Sequence, residues 1–278
     1  MDVFTSTPLA GNGLAVVHDA DGLDDATMLA FARETKQSET TFVQSGDADC
    51  DYRNRIWMLK GELPMAGHPS LGTAVAVAHR RGESTASYVQ RTPAGLQPVE
   101  VELDGLVARS SMLQEPVEFI GALDVARVAA TIGLAQEDVH PDLEPELVST
   151  GARQVLLPLA STDALARAKP DPALVAALLS ETGDAVVVYA FVCEPGVRTV
   201  DARAFFDSPG PIAEEDPATG SAAGPLMAYI HRHTGVEALT ITQGVQMGRP
   251  SRLDCAVEGG RVRVGGEVVV LAEGTLHL

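Results

Sequence analysis

Two hexapeptides of the form Glu-x-Pro-x-small-Gly carry the clearest chemical signal in this chain: Glu62-Leu63-Pro64-Met65-Ala66-Gly67 and Glu215-Asp216-Pro217-Ala218-Thr219-Gly220. Each precedes a run of small residues that is expected to be helical, so each turn would deliver the chain into a helix N-terminus. The first amides of a helix lack intrahelical partners, and with the helix dipole they favour a bound carboxylate or a developing oxyanion. A plainer reading stands beside this one, in which the glycines only allow close helix packing. Asp216 has no acidic counterpart in the first copy, where Leu63 stands, so the turn itself does not require the acid. One of the adjacent pair Glu215 and Asp216 could simply complement the dipole.

Other constellations point away from chemistry. Gly11-Asn12-Gly13 lacks the third glycine of a dinucleotide fingerprint, because Val16 stands there, and reads as a turn. His231 and His233 are two apart on an expected helix and face different sides, so no metal is expected. No nucleophile elbow surrounds Ser38 or Ser221, and no phosphate-binding loop ends in Lys-Ser/Thr.

The elements that must position these residues follow from periodicity. Asp24–Thr35 is expected to be a helix with Met28, Leu29 and Phe31 on its apolar side. Residues 37–43, rich in β-branched types around Glu39, read as a strand, and Arg53–Leu59 as another. Pro69–Arg81 and Ser221–Thr234 read as buried helices, each ended by a glycine, Gly82 or Gly235, at equal distance from its hexapeptide. Each hexapeptide also follows a strand that contains an arginine, Arg55 or Arg203. Matched strands, turns and helices indicate an internal duplication. Helices at 124–134 and 172–182, with many short strands and few parallel crossovers, give an α+β fold class. A two-fold arrangement of the halves would aim both helix N-termini into one cleft and grip a small acid from two sides.

Composition bounds the function. With 38 acidic against 20 basic residues and a net charge of −18, a nucleic-acid role is not expected. Three scattered cysteines fit a reducing compartment better than a disulfide framework. The longest apolar run, 185–193, is too short to span a bilayer, and no signal peptide is expected. The chain therefore reads as cytoplasmic, with no membrane partner. It opens directly in a strand, which leaves room for residues ahead of Met1.

Four motifs in order resemble those of the PhzF family of phenazine-biosynthesis isomerases. They are residues 37–43 (QSETTFV), 62–69 (ELPMAGHP), 215–222 (EDPATGSA) and 243–251 (QGVQMGRPS). The resemblance runs from Met1 to the C-terminal strands. It implies a diaminopimelate epimerase-like fold of two pseudo-symmetric, β-barrel-like halves, each around a central helix. The N-terminal half would be 1–113, completed by strands at about 264–278, and the C-terminal half 114–263.

Epimerases of this fold use two cysteines at the helix N-termini. Here Ala66 and Thr219 stand at those positions, which excludes two-thiol chemistry and agrees with the PhzF branch. The resemblance makes Glu39 the acid/base that moves a proton between carbons of a cyclic carboxylate, trans-2,3-dihydro-3-hydroxyanthranilate or a related compound. A raised pKa, supplied by partial burial, would suit that role. His68 and Asp216 would orient the substrate or assist proton movement. Ser38, Gly67, Gly220, Ser221 and Arg249 would bind it, mostly through amides at the helix starts. His68 and Ser221 could also be plain helix caps, and Arg249 a turn residue. No cofactor is implied, and a homodimer is. Two alternatives remain: a thiol-independent amino-acid epimerase or racemase, and a non-catalytic binder of small acids.

Overall fold

The computed structural model describes residues 1–183, 185–194, 196, 198–207 and 215–277. The chain divides into two compact units, Met1–Leu113 with Gly265–Leu278, and Gln114–Val264.

In unit 1 the elements are β1 (Asp2–Val3), β2 (Asn12–Val17), α1 (Asp25–Thr35), β3 (Glu39–Asp47), β4 (Cys50–Met58), β5 (Gly61–Leu63), α2 (Gly67–Arg81), β6 (Thr85–Thr92), β7 (Gly95–Asp104) and β8 (Val107–Leu113). Unit 2 contains β9 (Glu118–Ala122), α3 (Val125–Thr131), β10 (Glu146–Ser149), β11 (Arg153–Pro158), α4 (Thr162–Arg167), α5 (Pro172–Glu181), β12 (Val187–Cys193), β13 (Thr199–Phe206), β14 (Glu215–Asp216), α6 (Gly220–Thr234), β15 (Ala238–Gln243) and β16 (Ser251–Glu258). The last strand, β17 (Arg261–Val269), begins in unit 2 and ends in unit 1.

Strand pairing in unit 1 closes on itself. β1 pairs antiparallel with β2, β2 parallel with β3, β3 antiparallel with β4, β4 parallel with β6, and β6 antiparallel with β7. β7 pairs antiparallel with β8, β8 with β17, and β17 antiparallel with β1. The result is an eight-stranded barrel among the described residues, and closure removes the exposed edges that an open sheet would present.

Unit 2 repeats the order: β10 antiparallel with β11, β11 parallel with β12, β12 antiparallel with β13, β13 parallel with β15, and β15 antiparallel with β16. The duplication inferred from two hexapeptides is therefore a duplication of topology. The mixed α+β class holds, although each unit carries two parallel pairings where the sequence suggested few.

Helix α2 fills the barrel because its residues are small. Every residue from Gly67 to Ala78 is buried, and a helix buried on all sides must be apolar all round. Leu71 and Val75, both essentially inaccessible, each contribute about 1.5–3 kcal/mol through burial. A Cβ on Gly72 would come within 2.6 Å of Leu14 Cδ2 and 2.8 Å of Val3 Cγ2, so any other residue there would force those buried side chains to shift. Both α2 and α6 run fifteen residues and end on a left-handed glycine, Gly82 (φ 70°) and Gly235 (φ 74°), the geometry that lacks a Cβ penalty.

An ion pair is repeated with the topology. In unit 1 the Arg55 guanidinium donates to both carboxylate oxygens of Glu62, across the β4–β5 pair. In unit 2 Arg203 Nε donates to Glu215 Oε1 at 2.9 Å and Nη2 to Oε2 at 2.7 Å, across β13–β14. Each guanidinium also lies over the aromatic ring two residues on, Trp57 or Phe205. The remaining donors reach outward. Arg55 binds Asp25 at the start of α1, and Arg203 Nη1 binds the carbonyls of Leu165 and Ala168 at the end of α4.

The two pairs differ in burial: the side chains of Arg203 and Glu215 are 9% and 13% exposed, those of Arg55 and Glu62 23% and 24%. Removing one partner of a buried pair leaves an uncompensated charge. Arg203→Ala is therefore expected to lower stability by about 3–5 kcal/mol and Arg55→Ala by about 1 kcal/mol, read as denaturant-midpoint shifts. Equal losses would show that burial does not set the cost.

Candidate active site

Ser38, Glu39, Gly67 and His68 lie in unit 1. Glu39 is the first residue of β3, one residue beyond the expected strand context of Ser38, because the chain leaves α1 through Lys36 in the left-handed conformation. This bend presents Glu39 at the strand's start, where its Cα partner across β2 is Leu14. His68 is the second residue of α2. Its Nε2 lies 3.4 Å from Glu39 Oε2, with the His68 side chain 6% and the Glu39 side chain 14% exposed. The strand and the helix thus converge on one carboxylate–imidazole pair.

Burial drives the His68 pKa down to about 3, since an imidazolium in this setting would lose its hydration. The helix dipole at the start of α2 acts in the same direction. His68 is therefore neutral near pH 7 and serves as a hydrogen-bond donor or acceptor, not as a reservoir of a second proton.

Behind the ring is Asn12, which the sequence suggested only as a turn residue. It is the first residue of β2 and is buried. Asn12 Nδ2 is 3.2 Å from His68 Nδ1, and Ser38 Oγ donates to Asn12 Oδ1 at 3.2 Å. Ser38 thus meets the site through Asn12. No local pattern could have revealed this, because Asn12 and His68 are 56 residues apart.

Asp216, Gly220, Ser221 and Arg249 lie in unit 2. Asp216 Oδ2 accepts from Thr219 Oγ1 at 2.6 Å. Thr219, the residue before the first residue of α6, thus holds the Asp216 carboxylate through its hydroxyl. Gln243, at the end of β15, ties the turn together. Its amide nitrogen donates to Asp216 O (2.7 Å) and Thr219 Oγ1 (3.0 Å), and its oxygen accepts from Thr219 N (3.1 Å) and Tyr189 Oη (2.8 Å). All four hydrogen-bonding sites of the amide are used.

Ser221 accepts a long bond of 3.4 Å from Gln154 Nε2 and does not cap its helix. The Arg249 backbone N–H closes a turn onto Gly244 O at 3.0 Å. Gly244 has φ 75°, and a Cβ there would lie 2.6 Å from Pro217 O, so the 243–251 motif fastens directly onto the Asp216 turn. The sequence placed Gln243 in a motif but did not single it out, nor did it give Thr219 a role.

The two central helices share a further property. α1, α3, α4 and α5 have side-chain N-caps from Asp24, Asp124, Ser161 and Asp171. α2 and α6, which start after Ala66 and Thr219, have none. Their first amides remain available to an anion. No group of three or more His, Cys, Asp or Glu suited to a metal occurs among the described residues, and no helix among them is long and apolar enough to cross a membrane.

The family model described as "Phenazine biosynthesis-like protein", PhzC-PhzF, matches residues 1–274. The chain belongs to the PhzC-PhzF family. Two curated relatives are each 36% identical over all of this chain. One is the "Uncharacterized isomerase mll1393" of Mesorhizobium japonicum, 97% of which is covered. The other is the "Trans-2,3-dihydro-3-hydroxyanthranilate isomerase" of Pseudomonas aeruginosa, 98% of which is covered. Among solved structures, one described as "a Predicted Epimerase PA4716 from Pseudomonas aeruginosa" superimposes with a TM-score of 0.83 at 35% identity, over 98% of each chain. This member of the PhzC-PhzF family is an isomerase with the expected epimerase-like α+β fold.

Acid should expose the cost of keeping His68 neutral. The unfolded chain takes up this proton below about pH 6.5, whereas the folded chain resists it down to about pH 3. Between those limits the unfolded state binds more protons, so stability falls as pH falls, by about 1.4 kcal/mol per pH unit from this group. Denaturation midpoints measured across that window should fall more steeply for the wild type than for His68→Gln. Parallel slopes would mean that His68 does not titrate differently in the two states.

Proposed function

We propose that this isomerase shifts a proton between two carbons of a small cyclic carboxylate, with Glu39 as the acid/base. The observation that carries the reading is a carboxylate facing a neutral, buried imidazole at the uncapped start of α2. The reaction needs no net proton and no redox partner. The Glu39 carboxylate removes a proton from an activated C–H. That bond's electron pair forms a new double bond, and the π pair of the existing double bond takes the proton back from the carboxylic acid at the far carbon, so one double bond is consumed as one forms. One group serves both steps if the two carbons present the same face.

His68 is suited to orienting the carboxylate and the substrate's polar groups, because its low pKa withholds a competing proton. The amides at Gly67 and His68 would hold the substrate carboxylate or an oxyanion. In unit 2, Asp216, clamped by Thr219 and Gln243, is assigned to holding or passing a proton, and the amides of Gly220 and Ser221 to anion binding. Arg249 is assigned to supplying positive charge. The names of the curated relatives favour trans-2,3-dihydro-3-hydroxyanthranilate as substrate.

A second reading is favoured by one arrangement: Asp216 is a second acid, held by the Thr219 hydroxyl. Such a second acid is what a thiol-independent epimerase or racemase would require in addition to Glu39.

Proton NMR of trans-2,3-dihydro-3-hydroxyanthranilate with the protein in deuterated water separates the readings. Double-bond migration, with Glu39→Gln slower by about 10²–10⁴-fold, supports the first. Exchange at a single stereocentre of an amino acid, with inversion and no migration, supports the second. If the wild type leaves the dihydro compound unchanged, that substrate is removed.

A further inference from the structure

We propose that Asn12 is a positioning residue: its amide donates to His68 Nδ1 and so locks the imidazole with its single proton on Nε2, toward Glu39. The inference rests on the reading of Glu39 as the acid/base and deepens it.

While Glu39 is ionised, the geometry favours one protonation pattern. A neutral imidazole has one donor and one acceptor nitrogen, and the partner of one fixes the other. Asn12 Nδ2 lies 3.2 Å from Nδ1, and Nε2 lies 3.4 Å from Glu39 Oε2. The reversed pattern would turn Asn12 Oδ1 toward Nδ1–H. With Glu39 ionised, it would also set the Nε2 lone pair against a carboxylate oxygen inside a nearly dry site, which is repulsive. With the amide as donor, Asn12 Oδ1 is left to accept from Ser38 Oγ, as observed.

The support behind Asn12 is stiff. Its backbone is paired with Val3 in β1. The preceding Gly11 has φ 65°, and a Cβ there would fall 2.4 Å from Val3 O. The amide therefore cannot drift from the ring by a small backbone adjustment.

Asparagine matters here, and not merely a polar residue of that size. An aspartate would accept from Nδ1–H and stabilise the imidazolium, as a carboxylate behind a histidine does in hydrolytic triads. A cation beside Glu39 would then favour its ionised form and weaken it as a base. Asn12 offers a donor, holds the ring neutral and leaves Glu39 free to gain and lose its proton.

The test is long-range ¹H–¹⁵N correlation at pH 7 on protein labelled at its seven histidines, with the His68 signals identified by their loss in His68→Gln. The expected wild-type pattern is a protonated Nε2 and a bare Nδ1. In Asn12→Asp, Nδ1 is expected to become protonated. Turnover of whichever substrate is found active should then fall by about tenfold or more in kcat with little change in KM. A wild-type ring carrying its proton on Nδ1 overturns the proposal and needs no variant. So does an Asn12→Asp protein with an otherwise wild-type amide spectrum and unchanged His68 nitrogens. The nitrogen signals do not depend on any substrate, so failure of the proposed reaction would not be mistaken for failure of this assignment.

Discussion

Each unit depends on an arginine–glutamate fork. Arg55 with Glu62 and Arg203 with Glu215 tie a long strand to a two- or three-residue strand that could not hold itself in place. That short strand leads within a few residues to the first turn of the central helix. The fork therefore sets where α2 and α6 begin, and so where their uncapped amides and the residues His68 and Ser221 stand. Geometry explains the choice of arginine: its planar donors match two carboxylate oxygens at once and still leave an N–H for the neighbouring helix. Lysine could supply the charge but not the three-way joint.

From these joints the duplicated halves diverge toward chemistry. At the strand start that carries Glu39 in unit 1, pairing register aligns Val187 in unit 2, since Thr40 faces Trp57 as Val188 faces Phe205. In the turn, Leu63 of unit 1 is answered by Asp216 of unit 2. The common frame was kept while each copy retained an acid at a different place. The polar support differs accordingly: Asn12 and Ser38 behind His68, and Thr219, Gln243 and Tyr189 around Asp216.

Much of the frame was legible because it rests on local rules. Small residues between a proline-containing turn and a glycine stop mark a helix that must be buried on every side, and two such runs of equal length betray the repeat. The Arg and Glu of both forks were visible as matched residues, although nothing local said that they touch. Glu39 was legible through its motif. Asn12 was not, because a Gly-Asn-Gly run looks like any turn, and its partner is brought to it only by barrel closure. Gln243 was hidden for the same reason: its four bonds go to residues on other elements. Side-chain networks between distant strands leave no periodic trace in the sequence.

Strand β17 has a consequence for how the chain is made. Residues 114–264 form unit 2 without interruption, whereas unit 1 waits for Gly265–Val269 to pair with β1 and β8. During synthesis the first half of the chain emerges with two strand edges unmatched and remains so while the whole second half is translated. Domains generally fold in the order of synthesis; here the half that contains Glu39 and His68 is begun first and sealed last. The closing strand of the first barrel thus comes from the far side of the second unit in the chain, and a deletion of residues 265–269 removes a stave, not a tail.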